Sequence, residues 1–322
     1  MTTKQWVAGA LVAVLHVCAQ AQDGWPARPV RVIVPASTGS GMDFMGRSVA
    51  QALTDKYRQQ IIIDNRAGAG SLIGTHLVAT ATPDGYTLGV ASTSSLVAPL
   101  LQAKPPYDPL NDLAPVALLS SLTSIMVVAP GVPAKNLQEF IALARARPNE
   151  FNFASIGAGS AAHLTPEIFN RAAGIKAVHV PFKTVADILA EMYASRVHYL
   201  LFISPSSLPM LRDGKLRAFA VTGSKRFAAL PDVPTMSEAG VKGADVDTMI
   251  GVVGPAKLPR AMIQRIHGDL QDIMARADVK TAFDRQGGEP ALGVSTADYA
   301  RRWKAEYEVY RKLLPEIGLK PQ

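Results

Sequence analysis

Val30-Arg31-Val32-Ile33-Val34-Pro35-Ala36-Ser37-Thr38-Gly39-Ser40-Gly41-Met42-Asp43-Phe44-Met45-Gly46-Arg47 reads as strand, loop and helix start. The β-branched run 30–34 is a short buried strand, and Pro35 stops it. Small and hydroxylated residues follow until a helical pattern begins near Asp43. A Gly/Ser turn lets a ligand approach the backbone without meeting a Cβ. It also delivers the chain to a helix N-terminus, where free N–H groups and the helix dipole favour an anion. The element is therefore a candidate anion holder, most simply for a carboxylate. The plainer alternative is a tight βα turn with no ligand.

The pattern repeats along the chain. Ile61-Ile62-Ile63 is a second strand running into Asp64-Asn65-Arg66-Ala67-Gly68-Ala69-Gly70-Ser71 and a helix over 72–79. Tyr86 to Val90 is a third strand, followed by the hydroxyl cluster Ser92-Thr93-Ser94-Ser95. Strands alternating with helices at this spacing predict a parallel α/β sheet, whose ligands sit beyond the carboxyl ends of the strands. Extended runs at 116–119 and 125–128 and a helix over 137–146 capped by Asn136 then lead to a second copy of the theme. Phe151 to Ser155 enters Ile156-Gly157-Ala158-Gly159-Ser160-Ala161-Ala162-His163, with a helix over 164–172 ending at Gly174. Further strands follow at 177–184, 198–203, 216–221 and 249–253. Two closing helices, 260–276 and 296–313, are expected to pack back on the first lobe. This predicts two α/β lobes around a cleft: 22–123 with 246–322 as one, 124–245 as the other. Joined by more than one crossing, they suit closure on a ligand.

Residues 1–21 read as a secretory signal peptide, with Lys4, an apolar stretch from Trp6 to Val17 and the cleavage site Ala19-Gln20-Ala21. A periplasmic location follows. Val17 stands where a lipidated cysteine would need a small residue before it, which argues against an anchor through Cys18. Cys18 is the only cysteine of the 322 residues, so the exported chain would carry no disulfide and no thiolate metal site. No His–carboxylate pair has metal-ligand spacing, and no cofactor is expected. The net charge of +7 comes from dispersed Lys and Arg rather than a basic stripe with aromatics, so nucleic acid is not an expected partner.

In its ordered short motifs the chain resembles the periplasmic solute receptors of tripartite tricarboxylate transporters, the Bug or TctC-like family. These motifs span nearly all of the exported chain: Trp25-Pro26-x-Arg28-Pro29, Gly39-x-x-x-Asp43, Asp64-Asn65-Arg66-Ala67-Gly68-Ala69-Gly70-x-x-x-Gly74, Pro83-Asp84-Gly85-Tyr86-Thr87-Leu88, Pro106-Tyr107-Asp108-Pro109, His179-Val180-Pro181-Phe182-Lys183, and Leu230-Pro231-Asp232-Val233-Pro234-Thr235. The resemblance implies a type II periplasmic-binding-protein fold, and a monomer that passes a small carboxylate (a di- or tricarboxylate, or an aromatic acid) to inner-membrane transporter subunits. It also implies that loop backbone groups and bridging waters hold the carboxylate. Carried over, the ligand-binding positions are Ala36, Ser37, Thr38, Gly39, Ser40 and Asp43, then Ser155, Gly157, Ala158, Gly159, Ser160 and His163. Ser92, Thr93 and Ser94 of the hydroxyl cluster, with Phe182, Lys183, Thr184 and Phe202, are expected neighbours.

Three stretches depart from the family pattern. Thr38-Gly39-Ser40 replaces Pro-Gly-Gly, Phe182-Lys183-Thr184 replaces Tyr-Lys-Gly, and Phe202-Ile203-Ser204 replaces Phe-Asp-Asn. The last loses a carboxylate that would partner a ligand ammonium, which argues for a plainer or more apolar acid than an amino acid.

Several residues keep two readings. Asp43 would repel a carboxylate, so a role in orienting its loop is favoured over ligand contact. Ser37, Thr38, Ser155 and Ser160 either donate to the ligand or satisfy the turn, with ligand contact favoured for at least two. His163 is a ligand donor or a packed imidazole. His179 and His198 read as core or surface residues, and Lys183 either counters the ligand charge or snorkels. An exported serine hydrolase is the alternative enzyme class, but Gly157-Ala158-Gly159-Ser160-Ala161 is not a nucleophile elbow and no catalytic set stands out. No enzymatic activity is expected. A sensor feeding a two-component kinase remains as an alternative output.

Overall fold

The computed structural model describes residues 24–157, 159–202, 207–223, 225–285 and 288–321. The signal peptide, Cys18, Ala158 and the departure at Ile203-Ser204 lie outside them. In chain order the elements are β1 (Val30–Val34), α1 (Gly41–Tyr57), β2 (Ile61–Asn65), α2 (Leu72–Ala79), β3 (Thr87–Ser92), α3 (Thr93–Val97), β4 (Leu113–Leu122), β5 (Ile125–Val128) and α4 (Leu137–Ala146). They continue with β6 (Asn152–Ser155), α5 (Ala161–Ala173), β7 (Val178–Pro181), α6 (Val185–Tyr193), β8 (Tyr199–Phe202), α7 (Ser207–Arg212) and β9 (Arg217–Val221). The chain closes with β10 (Thr248–Pro255), α8 (Arg260–Met274), α9 (Ala277–Asp284), β11 (Gly288–Pro290) and α10 (Thr296–Glu316).

Two sheets organise these elements. One has the order β11-β4-β10-β3-β1-β2 and the other β7-β6-β8-β5-β9. β1 pairs in parallel with β2 and β3, and β6 pairs in parallel with β7 and β8. Each sheet also takes antiparallel strands, β10 beside β3 and β5 beside β8. The purely parallel expectation holds for the strands that carry the glycine loops and fails for these neighbours. The cause is the crossing chain, because β4 and β10 lead out of and back into the first sheet. Helices α8 and α10 pack on β4 and so return to the first sheet, as expected.

The short crossings are cross-bonded. Ser124 N–H donates to Thr222 Oγ1 at 2.9 Å, Thr222 N–H returns to Ser124 O at 2.9 Å, and Thr123 Oγ1 donates to Asp247 Oδ1 at 3.2 Å. Each sheet has its own apolar core. That of the second centres on Phe140, Phe153, Phe169 and Tyr199, all at 0 % exposure. Fully burying one such side chain is worth about 1.5–3 kcal/mol. The first sheet is covered on both faces, by α1, α8 and α9 on one and by α2, α3 and α10 on the other.

Helix starts follow the local chemistry. Ser40, Asn136, Thr184 and Ser295 each cap a helix by accepting an N–H three residues on. Gly174 closes α5 in the left-handed conformation at φ 62°.

Candidate ligand site

The loop after β1 is held from behind by Asp43. Its carboxylate accepts Gly39 N–H at 2.9 Å, Arg47 Nε at 3.0 Å and Asn65 Nδ2 at 2.9 Å, while Asn65 Nδ2 also reaches Ala36 O at 3.2 Å. Asp43 is 2 % exposed. Burial pushes its pKa up, but the Arg47, Gly39 and Asn65 bonds outweigh burial and hold it below 3.8. This is the loop-orienting role favoured from the sequence. Ser40 is committed to its helix cap, and Ala36 is half-buried. Ser37, Thr38 and Gly39 stand exposed at the loop tip. Gly39 has φ +80°, and a Cβ built there meets no atom of the described residues within 4 Å.

A carboxylate with a lowered pKa stabilises the fold above its ordinary range and loses that contribution as pH falls through the native value. We therefore expect Asp43→Asn to destabilise the protein by about 1–3 kcal/mol at pH 7, because its amide turns a donor toward donors. The gap to the native chain should narrow as the pH falls below 3.8. Denaturant unfolding across that range measures it.

The loop after β6 is built from its own bonds. Gly157 N–H donates to Ser155 Oγ at 3.0 Å, and Ser160 Oγ donates to Gly157 O at 2.7 Å. Gly157 has φ +128°, a region open to glycine, and a Cβ built there also meets no atom of the described residues within 4 Å. Gly159 N–H donates to His163 Nδ1 at 3.0 Å. Ser155, Ser160 and His163 are all buried. Two of the four hydroxyls considered as ligand donors, those of Ser155 and Ser160, are thus spent within their loop. His163 takes the packed position of its two readings.

The loop after β3 joins the two. Ala161 N–H, at the start of α5, donates to Ser94 Oγ at 3.1 Å, so the N-terminal end of α5 meets the carboxyl end of β3. A Cβ on Gly159 would stand 2.4 Å from Leu101 Cδ1. Leu164 and Ile168 of α5 pack with Leu96 and Val97 of the first lobe, and Arg171 pairs with Glu316. Because β3 neighbours β1, the carboxyl ends of β1, β3 and β6 converge on one inter-lobe region. Ser92 and Thr93 are buried there, and their hydroxyls are committed elsewhere. Ser92 caps α3, and Thr93 bonds to Glu306. Thr184 caps α6, and Lys183 is exposed. Phe182 and Phe202 are half-buried against the second core, and Phe182 N–H donates to Ser155 O at 2.8 Å. The Ser92–Ser94 cluster is thus the neighbour of the second-lobe loop expected from the sequence, while its bond to α5, the approach of Leu101 and the part played by His179 were not legible there.

Glu306 is half-buried, and desolvation of its carboxyl pushes its pKa up to about 7. A carboxyl raised in the native state stabilises fully below its unfolded value of 4.5 and loses this as pH rises through 7. Glu306→Gln should therefore raise the melting temperature by several degrees at pH 8 and little at pH 5. A thermal melt at each pH checks it.

A cavity of about 470 Å³ lies at the opposite edge of the first sheet, lined by Arg28, Arg31, Leu77, Thr80 and Tyr86. Its arginines are already paired, Arg28 with Asp84 at 3.2 Å and Arg31 with Asp64 at 2.7 Å, so it is a poor carboxylate site. Among the described residues no group of His, Cys, Asp and Glu could hold a metal.

Two α/β lobes that meet where the carboxyl end of β3 joins the start of α5, each carrying a small-residue loop at its strand ends, fit a solute-binding protein of the periplasmic type. The chain belongs to the family described as tripartite tricarboxylate transporter family receptor, whose model matches residues 45–319. It is 33% identical to Protein BugT of Bordetella pertussis over 99% of both chains. A Rhodopseudomonas palustris protein solved with adipate shares 30% identity at a TM-score of 0.85, over 92% of this chain and 100% of that one. MatC of the same organism, solved with bound malate, shares 28% identity at a TM-score of 0.80, over 90% of this chain and 100% of that one.

Proposed function

We propose that this protein is a periplasmic receptor that captures a small dicarboxylate between its lobes and delivers it to a tripartite membrane transporter. The observation that carries this reading is the pair of glycines, Gly39 and Gly157, each at positive φ with no atom of the described residues where a Cβ would stand. A carboxylate can approach such backbone closely and take its N–H groups. The malate and adipate bound by related proteins support the ligand class, as does the loss of the family carboxylate near Phe202. The strand membership of the sheets supports 22–123 with 246–322 as one lobe and 124–245 as the other, and cleavage after Ala21 would release a monomer. Ser37, Thr38 and the loop backbone are the groups we assign to the ligand. The other hydroxyls shape the loops.

Uptake of labelled four- and six-carbon dicarboxylates at micromolar concentration by a gene-deletion strain tests this. Uptake should fall and return with the full-length gene, but not with a gene lacking residues 2–21. Unchanged uptake would overturn the transport role.

A further inference from the structure

His179 reads from the sequence as an ordinary strand residue, yet the register sets it beside the ligand loop. β6 and β7 pair with Phe153 opposite His179, so both rings stand on the face that α5 covers. His163, in the first turn of α5, lies flat on His179 with ring centroids 3.8 Å apart and planes 11° apart. Each imidazole also holds one end of the glycine loop. His163 Nδ1 accepts Gly159 N–H at 3.0 Å, and His179 Nε2 lies 2.6 Å from Ser155 Oγ. Ser155 Oγ in turn accepts Gly157 N–H at 3.0 Å and donates to Gly157 O at 3.1 Å. One proton assignment satisfies every contact: Nε2–H of His179 donates to Ser155 Oγ, and Nδ1 of His163 is bare.

We propose that the stacked pair positions the 155–160 loop for its ligand, His163 through Gly159 and His179 through Ser155, and that neither ring supplies charge to the ligand. This rests on the receptor reading above. A protonated His163 would turn an N–H on Nδ1 toward the Gly159 N–H, and a second cation 3.8 Å away would be repelled. The groups facing the pair are Glu167, with Oε1 3.8 Å from His163 Nε2, and Tyr199, against Phe153. Burial, then the neighbouring His179, lowers the His163 pKa to about 4, and burial lowers that of His179. Burial raises the Glu167 carboxyl, which weakens its pull on the imidazole proton. A His163 acting as counter-charge would instead take up a proton when a carboxylate binds.

Nitrogen-15 histidine spectra of the ligand-free protein from pH 4.5 to 8 provide the first test. His163 should stay neutral to below pH 5.5, with its proton on Nε2. Titration near 6.5, or a proton on Nδ1, would overturn the proposal. Amide exchange gives the second. In His163→Phe, which keeps the stack and loses the acceptor, Gly159 N–H should exchange about tenfold faster. In His163→Asn, whose Oδ1 replaces Nδ1 as acceptor, it should stay protected. Equal exchange in the native chain and His163→Phe, or lost protection in His163→Asn, would refute the hydrogen-bond role. Calorimetry with adipate and L-malate at pH 6–8, in buffers of different ionisation enthalpy, should show no proton uptake. Uptake approaching one proton per ligand would make His163 or His179 a counter-charge. If neither acid binds, the receptor reading is in question while the ligand-free spectra and the exchange still decide this one.

Discussion

Replacing Gly157 by Val should weaken carboxylate binding about a hundredfold or more, equivalent to roughly 2.7 kcal/mol, while the protein still unfolds cooperatively. Gly39→Val should act in the same direction. At φ +128° a β-branched residue is an outlier, and holding one there costs about 1–3 kcal/mol. The loop would relax by turning the Gly157 peptide, which breaks its bonds to Ser155 and Ser160. Because a Cβ at either glycine meets no atom of the described residues within 4 Å, core packing is spared. On the receptor reading proposed above, the side chain would stand on the side from which the ligand approaches. Calorimetric titration beside a thermal melt separates the two effects. Native affinity in either variant would remove that loop from the site.

The largest loss of stability is expected from Phe140→Ala, about 3–5 kcal/mol. Phe140 is fully buried on α4, and its ring meets those of Tyr199 at 5.1 Å and Phe151 at 5.4 Å, with Phe169 and Phe219 at 6.5 Å. Truncation leaves a void that four rings cannot all close. Since Tyr199 sits on β8, paired with β6, a loosened core would also disturb the glycine loop that β6 presents. Denaturant unfolding measures the loss. A change under about 1.5 kcal/mol would mean that this aromatic cluster relaxes far more than its packing suggests.

Much of the architecture was legible because local signals and the fold agree. The β-branched run 30–34, the helix over 72–79, the cap at Asn136 and the stop at Gly174 all lie where local chemistry put them. The short helix α3 was hidden because Ser92 to Ser95 reads equally as a loop, and its capping box is visible only in three dimensions. Strand β11, Gly288–Pro290, has no apolar alternation to reveal it and exists through its pairing with β4. In the site, the glycine positions were readable from composition. The Ser92–Ser94 cluster was readable as a neighbour, but the particular bonds of Ser94, His179 and Glu306 were not. Their partners lie 67, 24 and 213 residues away, so only the sheet register and the lobe packing bring them together.

The most direct test of a carboxylate held by two glycine loops is a thermal-shift titration. The protein, purified from the periplasm and refolded to strip any bound ligand, would be titrated with each dicarboxylate and with its diamide. At 100 times its dissociation constant a ligand adds about 2.7 kcal/mol, enough to move the melting temperature by several degrees. A carboxylate site requires such a shift with at least one acid and none with the matching amide. Equal shifts with acid and amide, or none with any acid, would contradict it.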